Sequence, residues 1–375
     1  MVLLFDFLKS NISERPVFIW GAWKIGKKVL EHLEMAEIPC TGFIDSQKMG
    51  EKFCGCDVLD IDTVLEHYEN PYLILSIVEH QSVLEKLGNL KEFEDYLYLW
   101  KSVHLCRCNN YFDVYGSRIE GKIEDTQVEM SGGSLLKIEP GVKFGKNVKI
   151  ICQLFSTITI KKGVTIQDNV TLSAKEQAAI VFENKVTIEE GSYIEAKDDS
   201  IVSVGEDISG SEAKEDYIRN PMETIIRKDS TMIARERAKI RIGKRCGFGH
   251  ELQVIVAHDT FFICSNDCVL SYQVNVRGNN GHTIFDLEGK KAHIQKESVT
   301  LEPHVWIGMG VSILPGTHVG RNCIVGANSL TNKEYAVNSI LAGQPAKEIK
   351  NNVNWNYKPF TTWEEFECGI AQNRK

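Results

Sequence analysis

Between Val299 and Leu330 the chain repeats itself every six residues. Leu301, Ile307, Ile313, Val319 and Val325 are aliphatic, and four places after each comes a small or β-branched residue: Val305, Val311, Thr317, Cys323 and Ser329. A period of six is neither the 3.6 of an α-helix nor the two of a plain strand. It fits short strands joined by tight bends, with one large inward residue on each flat face. Three such faces close one coil of a parallel β-helix. Gly308, Gly320 and Gly326 each directly follow an aliphatic residue, where a bend benefits from a residue that tolerates backbone angles others avoid.

The same grammar runs upstream with a longer period. Ile138, Ile160, Phe182 and Val204 stand 22 apart, as do Phe144, Ile166 and Ile188, and Ile150, Leu172 and Ile194. Ile242, Phe248 and Val254 return 22 residues later as Cys264, Leu270 and Val276. Each unit reads as three hexads plus a four-residue extension at one corner. An antiparallel sandwich would satisfy strand propensity but gives no reason for constant spacing. The β-helix is therefore expected over 136–350. Residues 211–239 fall out of register, and their charge density suggests a solvated excursion or a short helix between coils.

Residues 1–100 follow a different pattern. PVFIWG reads as a strand and GAWKIGKKVLEHLEMAEI as a helix with Ile25, Val29, Leu30 and Leu33 on one face. CTGFIDS is a second strand, DIDTVLEHY a helix and PYLILSIV a third strand. This alternation argues a parallel sheet with right-handed crossovers, an α/β Rossmann-like domain. Gly21 and Gly26 frame a turn whose amides and following helix would suit a phosphate. Asp45 lies where an acid can bond a ribose hydroxyl. Trp23 occupies the place of the glycine that would let a pyrophosphate approach. A Rossmann-like domain with another ligand or none fits these residues equally well. Residues 101–135 read as a connector and first cap, and 351–375 as a tail that packs back or meets a neighbouring subunit.

Composition narrows the class. The 375 residues suffice for two or three domains, and 43% apolar with 25% charged residues excludes a disordered or fibrous chain. A net charge of −8 argues against a phosphate-backbone partner, so no nucleic acid is expected. No apolar run is long enough to span a bilayer, and MVLLFDFLKS lacks the basic start of a signal peptide. The 11 cysteines, an odd number, fit a reduced cytoplasm. Cys246, Cys264, Cys268 and Cys323 fall on hexad positions as small buried residues. The pairs Cys54/Cys56 and Cys106/Cys108 are CxC, not the CxxC of common zinc knuckles.

HVWIGMGVSILPGTHVGRNCIVGANSL followed by ILAGQPAKEIK resembles the end of the left-handed β-helix (hexapeptide-repeat) acyltransferases, which include bacterial sugar O-acetyltransferases. The likeness is specific over about 242–350 and looser over 138–208. The N-terminal part is similar to the Rossmann-like domain of nucleotide-sugar N-acetyltransferases of surface-glycan pathways. The left hand of the helix comes from this resemblance alone. The resemblance implies acetyl-CoA lying between two subunits of a homotrimer, with His282 of RGNNGHTIFD as the base. It maps carrier contacts onto Trp306, Met309, Ala327 and Lys333, and phosphate contacts onto Lys347 and Lys350. Lysine replaces the family's frequent arginine at the last two, meeting phosphate as a point charge rather than a fork.

Acyl transfer needs a proton acceptor, a donor at the thioester carbonyl and proximity. A histidine near its ordinary pKa of about 6.5 is mostly neutral at pH 7 and suits the first task. His282 is therefore the candidate base, and Asp286 could orient it or simply belong to a turn. His258, followed by Asp259, could orient a substrate or His282, with a structural role as the plainer alternative. His304 and His318 fall at coil corners and read as surface residues. The expected function is acetyl transfer from acetyl-CoA to a sugar or nucleotide-sugar hydroxyl or amine in polysaccharide or glycoconjugate synthesis. Two other readings stand beside it. One is a non-catalytic scaffold with a nucleotide-sensing N-terminal domain. The other is a zinc hydratase using His250, His258 and His282, whose spacings of 8 and 24 follow no hexad rule, so no metal is expected.

Overall fold

The structure, a computed structural model, describes residues 12, 14–35, 37–76, 96–98, 103–112, 117–209, 217–220, 222–293 and 297–373. The 22-residue spacing is the length of one coil. Three parallel sheets, of ten, eleven and ten strands, run along a three-sided helix. In chain order their members include Thr171–Lys175 on the first face, Ala179–Phe182 on the second and Val186–Ile188 on the third. Ile150 pairs in register with Leu172 and Leu172 with Ile194. Ile160 likewise pairs with Phe182, and Phe182 with Val204. Each of these side chains is fully buried in one continuous core. Equal spacing puts like residues above like, so each coil satisfies its backbone through the next. The hexad cysteines belong to this core, where burial pushes the Cys152 thiol up to about 12 and that of Cys323 to about 11.

The extension that lengthens the early coils is a two-residue left-handed turn on the first–second edge. Leu154/Phe155, Glu176/Gln177, Asp198/Asp199, Glu236/Arg237 and His258/Asp259 all have φ between 56° and 65°. The turns are hydrogen bonded to one another, Arg237 N to Asp198 O at 2.7 Å and Asp259 N to Glu236 O at 3.0 Å, and form a ridge. From Leu301 onward this extension is gone, and Leu301 pairs with Val319, 18 residues later.

Two expected boundaries are corrected. Parallel pairing begins before 136: Arg118–Glu120 already pairs with Leu135–Lys137, and Gln127–Ser131 with Lys149–Gln153. The antiparallel strands Val103–Leu105 and Cys108–Phe112 close that end. The excursion is also shorter than 211–239. Thr224–Ile226 pairs with Val186–Ile188, Thr231–Ala234 with Tyr193–Ala196, and Lys239–Gly243 with Ile201–Glu206. The charges that suggested an excursion sit outward and pair with acids of the preceding coil. Arg227 meets Glu189 at 3.2 Å, Lys228 meets Glu190 at 2.9 Å and Arg235 meets Glu195 at 2.7 Å. Met232, Ala234 and Ile240 point inward and are fully buried.

The helix ends in an antiparallel hairpin, Ile340–Gly343 with Ala346–Lys350. The tail then forms a helix, Trp363–Asn373, that the sequence pattern did not indicate.

The N-terminal domain has the expected strands Val17–Trp20, Gly42–Ile44 and Tyr72–Leu75, all parallel. Helix α1 is Lys24–Met35 and helix α2 is Ile61–His67, the latter capped by the Asp60 carboxylate accepting from Thr63 N at 2.9 Å. Alternation sends Ile19, Phe43 and Ile74 into a core with Val29 and Leu33 of α1. It sends Phe18, Ile44 and Leu73 into a core with Val64 of α2. A hairpin not foreseen, Lys52–Phe53 with Cys56–Leu59, adds an edge to the sheet. The domain stands on the ridge. Phe155 packs against the α1 core, and Lys24 Nζ lies 2.6 Å from Asp198 and 3.9 Å from Glu176. The bond to Asp198 raises the Lys24 pKa. Among the described residues no helix is long and apolar enough to cross a membrane.

Met232→Ala should lower the unfolding free energy by about 2–5 kcal/mol. Lys239→Ala, exposed in the same stretch, should stay within about 0.5 kcal/mol. Denaturant midpoints at constant slope measure both. Equal, negligible effects would return 224–239 to an excursion.

Candidate active site

Where earlier coils make a two-residue turn, the coil after Asn275–Arg277 extends residues 278–293 from the first–second edge, and Val299–Leu301 resumes the second face. The root is tied to the coil: Asn279 Nδ2 donates to Ala257 O at 2.8 Å, and Gly281 N donates to Asn279 Oδ1 at 3.1 Å. Beyond it the loop becomes a hairpin, Ile284–Asp286 with Lys291–His293. His282 sits between root and hairpin and is exposed. Ile284, Phe285 and Leu287 are 55%, 65% and 86% exposed, so the hairpin packs little against its own chain. Asp286 Oδ1 accepts from Glu288 N at 3.0 Å; its carboxylate holds the hairpin turn.

The residues mapped as carrier contacts divide among several parts of the prism. Trp306, 41% exposed, lies on the third face, paired in register with Ile324. Met309 and Ala327 lie on the third–first edge in successive coils, where Asn328 N donates to Met309 O at 2.8 Å. Gly308 makes that stacking feasible, since a Cβ there would come within 2.6 Å of Ala327 N. Lys333 falls at the first–second edge beyond the His282 loop, its Nζ 5.7 Å from the Tyr335 ring. Lys347 and Lys350 are exposed on the closing hairpin of the third face. Within one chain, then, Met309 and Ala327 are brought together beside Trp306, while His282 stands on a different edge.

In the N-terminal domain, Gly21, Gly26 and Asp45 do come together at the carboxyl ends of the strands. Gly21 has φ 120°, and a Cβ on Gly26 would collide with Gly21 O. Asp45 is buried and both its oxygens are engaged: Oδ2 accepts from Ala22 N at 3.1 Å and Oδ1 from Gln47 N at 3.0 Å. Lys48 Nζ lies 4.0 Å from the Trp23 ring centre and donates to Ala22 O at 2.6 Å. The Asp45 carboxylate thus shapes the turn itself. This turn, at the switch between the strands Val17–Trp20 and Tyr72–Leu75, lies beside the ridge that Lys24 grips.

The histidines differ from expectation in one respect. His304 is not a surface residue but is fully buried. Its ring lies between Tyr217 at 4.5 Å and Trp355 at 4.0 Å, and its Nε2 is 2.9 Å from Trp355 O. Trp355 Nε1 donates back to His304 O at 2.9 Å. A corner residue becomes buried because the excursion and the tail both cross that edge. His318 stays half-exposed, 2.9 Å from Glu302. His250 stacks on Tyr272 on the third–first edge, with ring centres 5.3 Å apart. It therefore does not converge with His258 and His282 on the first–second edge. Among the described residues no three metal-binding side chains cluster.

Sequence reading missed Glu236. Its carboxylate lies against His258 Nδ1, and the next pair along the ridge, Arg237 and Asp259, forms a two-point salt bridge at 2.6 and 2.9 Å. Both pairs are 22 residues apart. The signal was present, but treating 211–239 as out of register concealed it.

Residues 298–333 match the family described as bacterial transferase hexapeptide (six repeats). Residues 298–333 thus carry the hexapeptide repeat of bacterial transferases, within the parallel β-helix described above. The polysialic acid O-acetyltransferase of Escherichia coli O1:K1 / APEC is 29% identical over 139 residues, 37% of this chain and 44% of that protein. The galactoside O-acetyltransferase of Lactococcus lactis subsp. lactis is 29% identical over 116 residues, 30% of this chain and 55% of that one. The chain spans about half the length of these curated relatives. The crystal structure of the polySia specific acetyltransferase NeuO aligns over 66% of this chain and 97% of its own, at 19% identity and a TM-score of 0.40.

Trp355→Ala should free the tail. Limited proteolysis should cut within 351–373 several times faster, and an unchanged cleavage rate would mean the stack on His304 does not hold it.

Proposed function

We propose that the protein transfers an acetyl group from acetyl-CoA to a hydroxyl or amine of a sugar or nucleotide-linked sugar, in surface-polysaccharide or glycoconjugate synthesis. One observation carries this reading. A long loop of the prism lifts His282 from one edge, while Trp306, Met309 and Ala327 line another face and edge of the same chain. A site using both needs two chains side by side. The exposed apolar hairpin, with Phe285 and Leu287, supplies a surface for such a neighbour. This supports a homotrimer with the carrier in the groove between prisms.

In this mechanism His282 takes the proton of the acceptor as its oxygen or nitrogen attacks the thioester carbonyl. The carbon–sulfur bond breaks, and the proton goes on to the departing thiolate. A backbone N–H at a coil bend meets the charge that develops on the carbonyl oxygen. Lys347 and Lys350 hold phosphates of the carrier as point charges. The N-terminal domain presents the acceptor, supported by the place of its Gly21–Gly26 turn beside the ridge from which the His282 loop emerges. Since Asp45 is already bonded to two amides, a nucleotide there would be held chiefly by the turn and helix α1. All 11 cysteines are free, in keeping with work in the cytoplasm.

Mass spectrometry of products from acetyl-CoA and a panel of free and nucleotide-linked sugars tests the activity. His282→Ala should lower the transfer rate by about 10²–10⁴-fold, and an unimpaired variant would remove His282 from the mechanism. Lys347→Ala with Lys350→Ala should raise KM for acetyl-CoA, more at low than at high salt. Sedimentation should give three times the chain mass; a monomer that still turns over would contradict the shared site.

A further inference from the structure

The first–second ridge carries a second imidazole with features that His282 lacks. His258 Nδ1 is held by the Glu236 carboxylate one coil back. Its turn is fixed from several sides. Asp259 is forked by Arg237, Thr260 Oγ1 donates to Ala257 O at 2.7 Å, and Asn279 Nδ2 donates to the same carbonyl at 2.8 Å. The tautomer in which Glu236 accepts from Nδ1–H carries its lone pair on Nε2. The side chain is 57% exposed, so this pre-set acceptor is open to a ligand.

Its position says which ligand. Along the ridge, Asp198, which binds Lys24 of the N-terminal domain, is followed by Glu236 and then His258, each one coil further on. At about 4.8 Å per coil, His258 lies roughly 10 Å from that contact. In the other direction, His282 is three residues beyond Asn279, which is bonded to the neighbour of His258. Three residues span at most about 10–11 Å. His258 therefore lies between the Lys24 contact of the N-terminal domain and the candidate base, and on a different edge from Met309 and Ala327.

An attacking hydroxyl has one proton, and that proton goes to His282. His258 must then engage another group. We propose that His258 Nε2, oriented by Glu236, accepts a hydrogen bond from a hydroxyl or amine next to the one that is acylated. The acceptor is thus a sugar with two neighbouring polar groups, only one of which reacts. The inference rests on the acyltransferase reading above.

The test uses the full chain, acetyl-CoA and the sugar of the panel that gives most product. His258→Asn should raise KM for that sugar about tenfold, the loss of one good hydrogen bond. The Kd for CoA by calorimetry should be unchanged. Glu236→Gln should move KM the same way by less, and the double variant should be no worse than His258→Asn alone. The deoxy analogue lacking the neighbouring hydroxyl should show the same raised KM with the unaltered protein and no further rise with His258→Asn. An unchanged sugar KM in His258→Asn, with an unfolding midpoint like that of the unaltered chain, overturns the proposal. So does an equal weakening of CoA binding, or a deoxy penalty that persists in full in the variant. If His282→Ala is inactive while His258→Asn is unaffected, only this inference falls. If the unaltered protein acetylates no sugar of the panel, both fall.

Discussion

The vertical register between coils is the constraint on which the rest of the structure depends. A parallel ladder lets each residue stack on its counterpart one coil away. Strict spacing then converts the inward residues of each face into a continuous core from Ile119 to Ala346. The same register governs the outside. It aligns Arg227 with Glu189, Lys228 with Glu190 and Arg235 with Glu195. Individually such exposed pairs contribute little. Their role here is to let a charged sequence coat an apolar prism without breaking the coil.

The prism also sorts functions by edge. The first–second edge bears the left-handed turns, the footing of the N-terminal domain, the His258–Glu236 pair and the root of the His282 loop. The second–third edge is covered by the excursion and the tail, which meet at His304. The third–first edge holds the stacked corners of Met309 and Ala327. Because coils cannot shift sideways without unpairing their strands, a residue assigned to an edge by spacing stays there. His282 is then separated within one chain from Met309 and Ala327, which is why the proposed reading calls on a neighbouring chain.

Much of this was legible from spacing. The hexads of 299–330, the 22-residue blocks and the three parallel strands of the N-terminal domain follow from period, alternation and glycine placement, whereas His282 was singled out through the family resemblance. Where reading went astray, a local property was taken for a global one. High charge in 224–239 suggested an excursion because composition does not say which way a side chain faces; stacking on the coil below decides that. His304 looked exposed because its corner is exposed in a bare prism, and only the arrival of Tyr217 and Trp355 from distant sequence buries it. Asp45 was at the expected place, but whether its oxygens were free or bonded to Ala22 and Gln47 depends on the fold of its own turn.

The sequence by itself determined the repeat length, the inward set of residues and the edge to which each corner residue belongs, since these depend on intervals along the chain. Only the tertiary structure decided which charges pair, which corners are covered, and that the N-terminal domain stands on the ridge leading to His282. Those outcomes depend on contacts between residues far apart in sequence, such as Lys24 with Asp198. A local period carries no information about what will meet it from elsewhere.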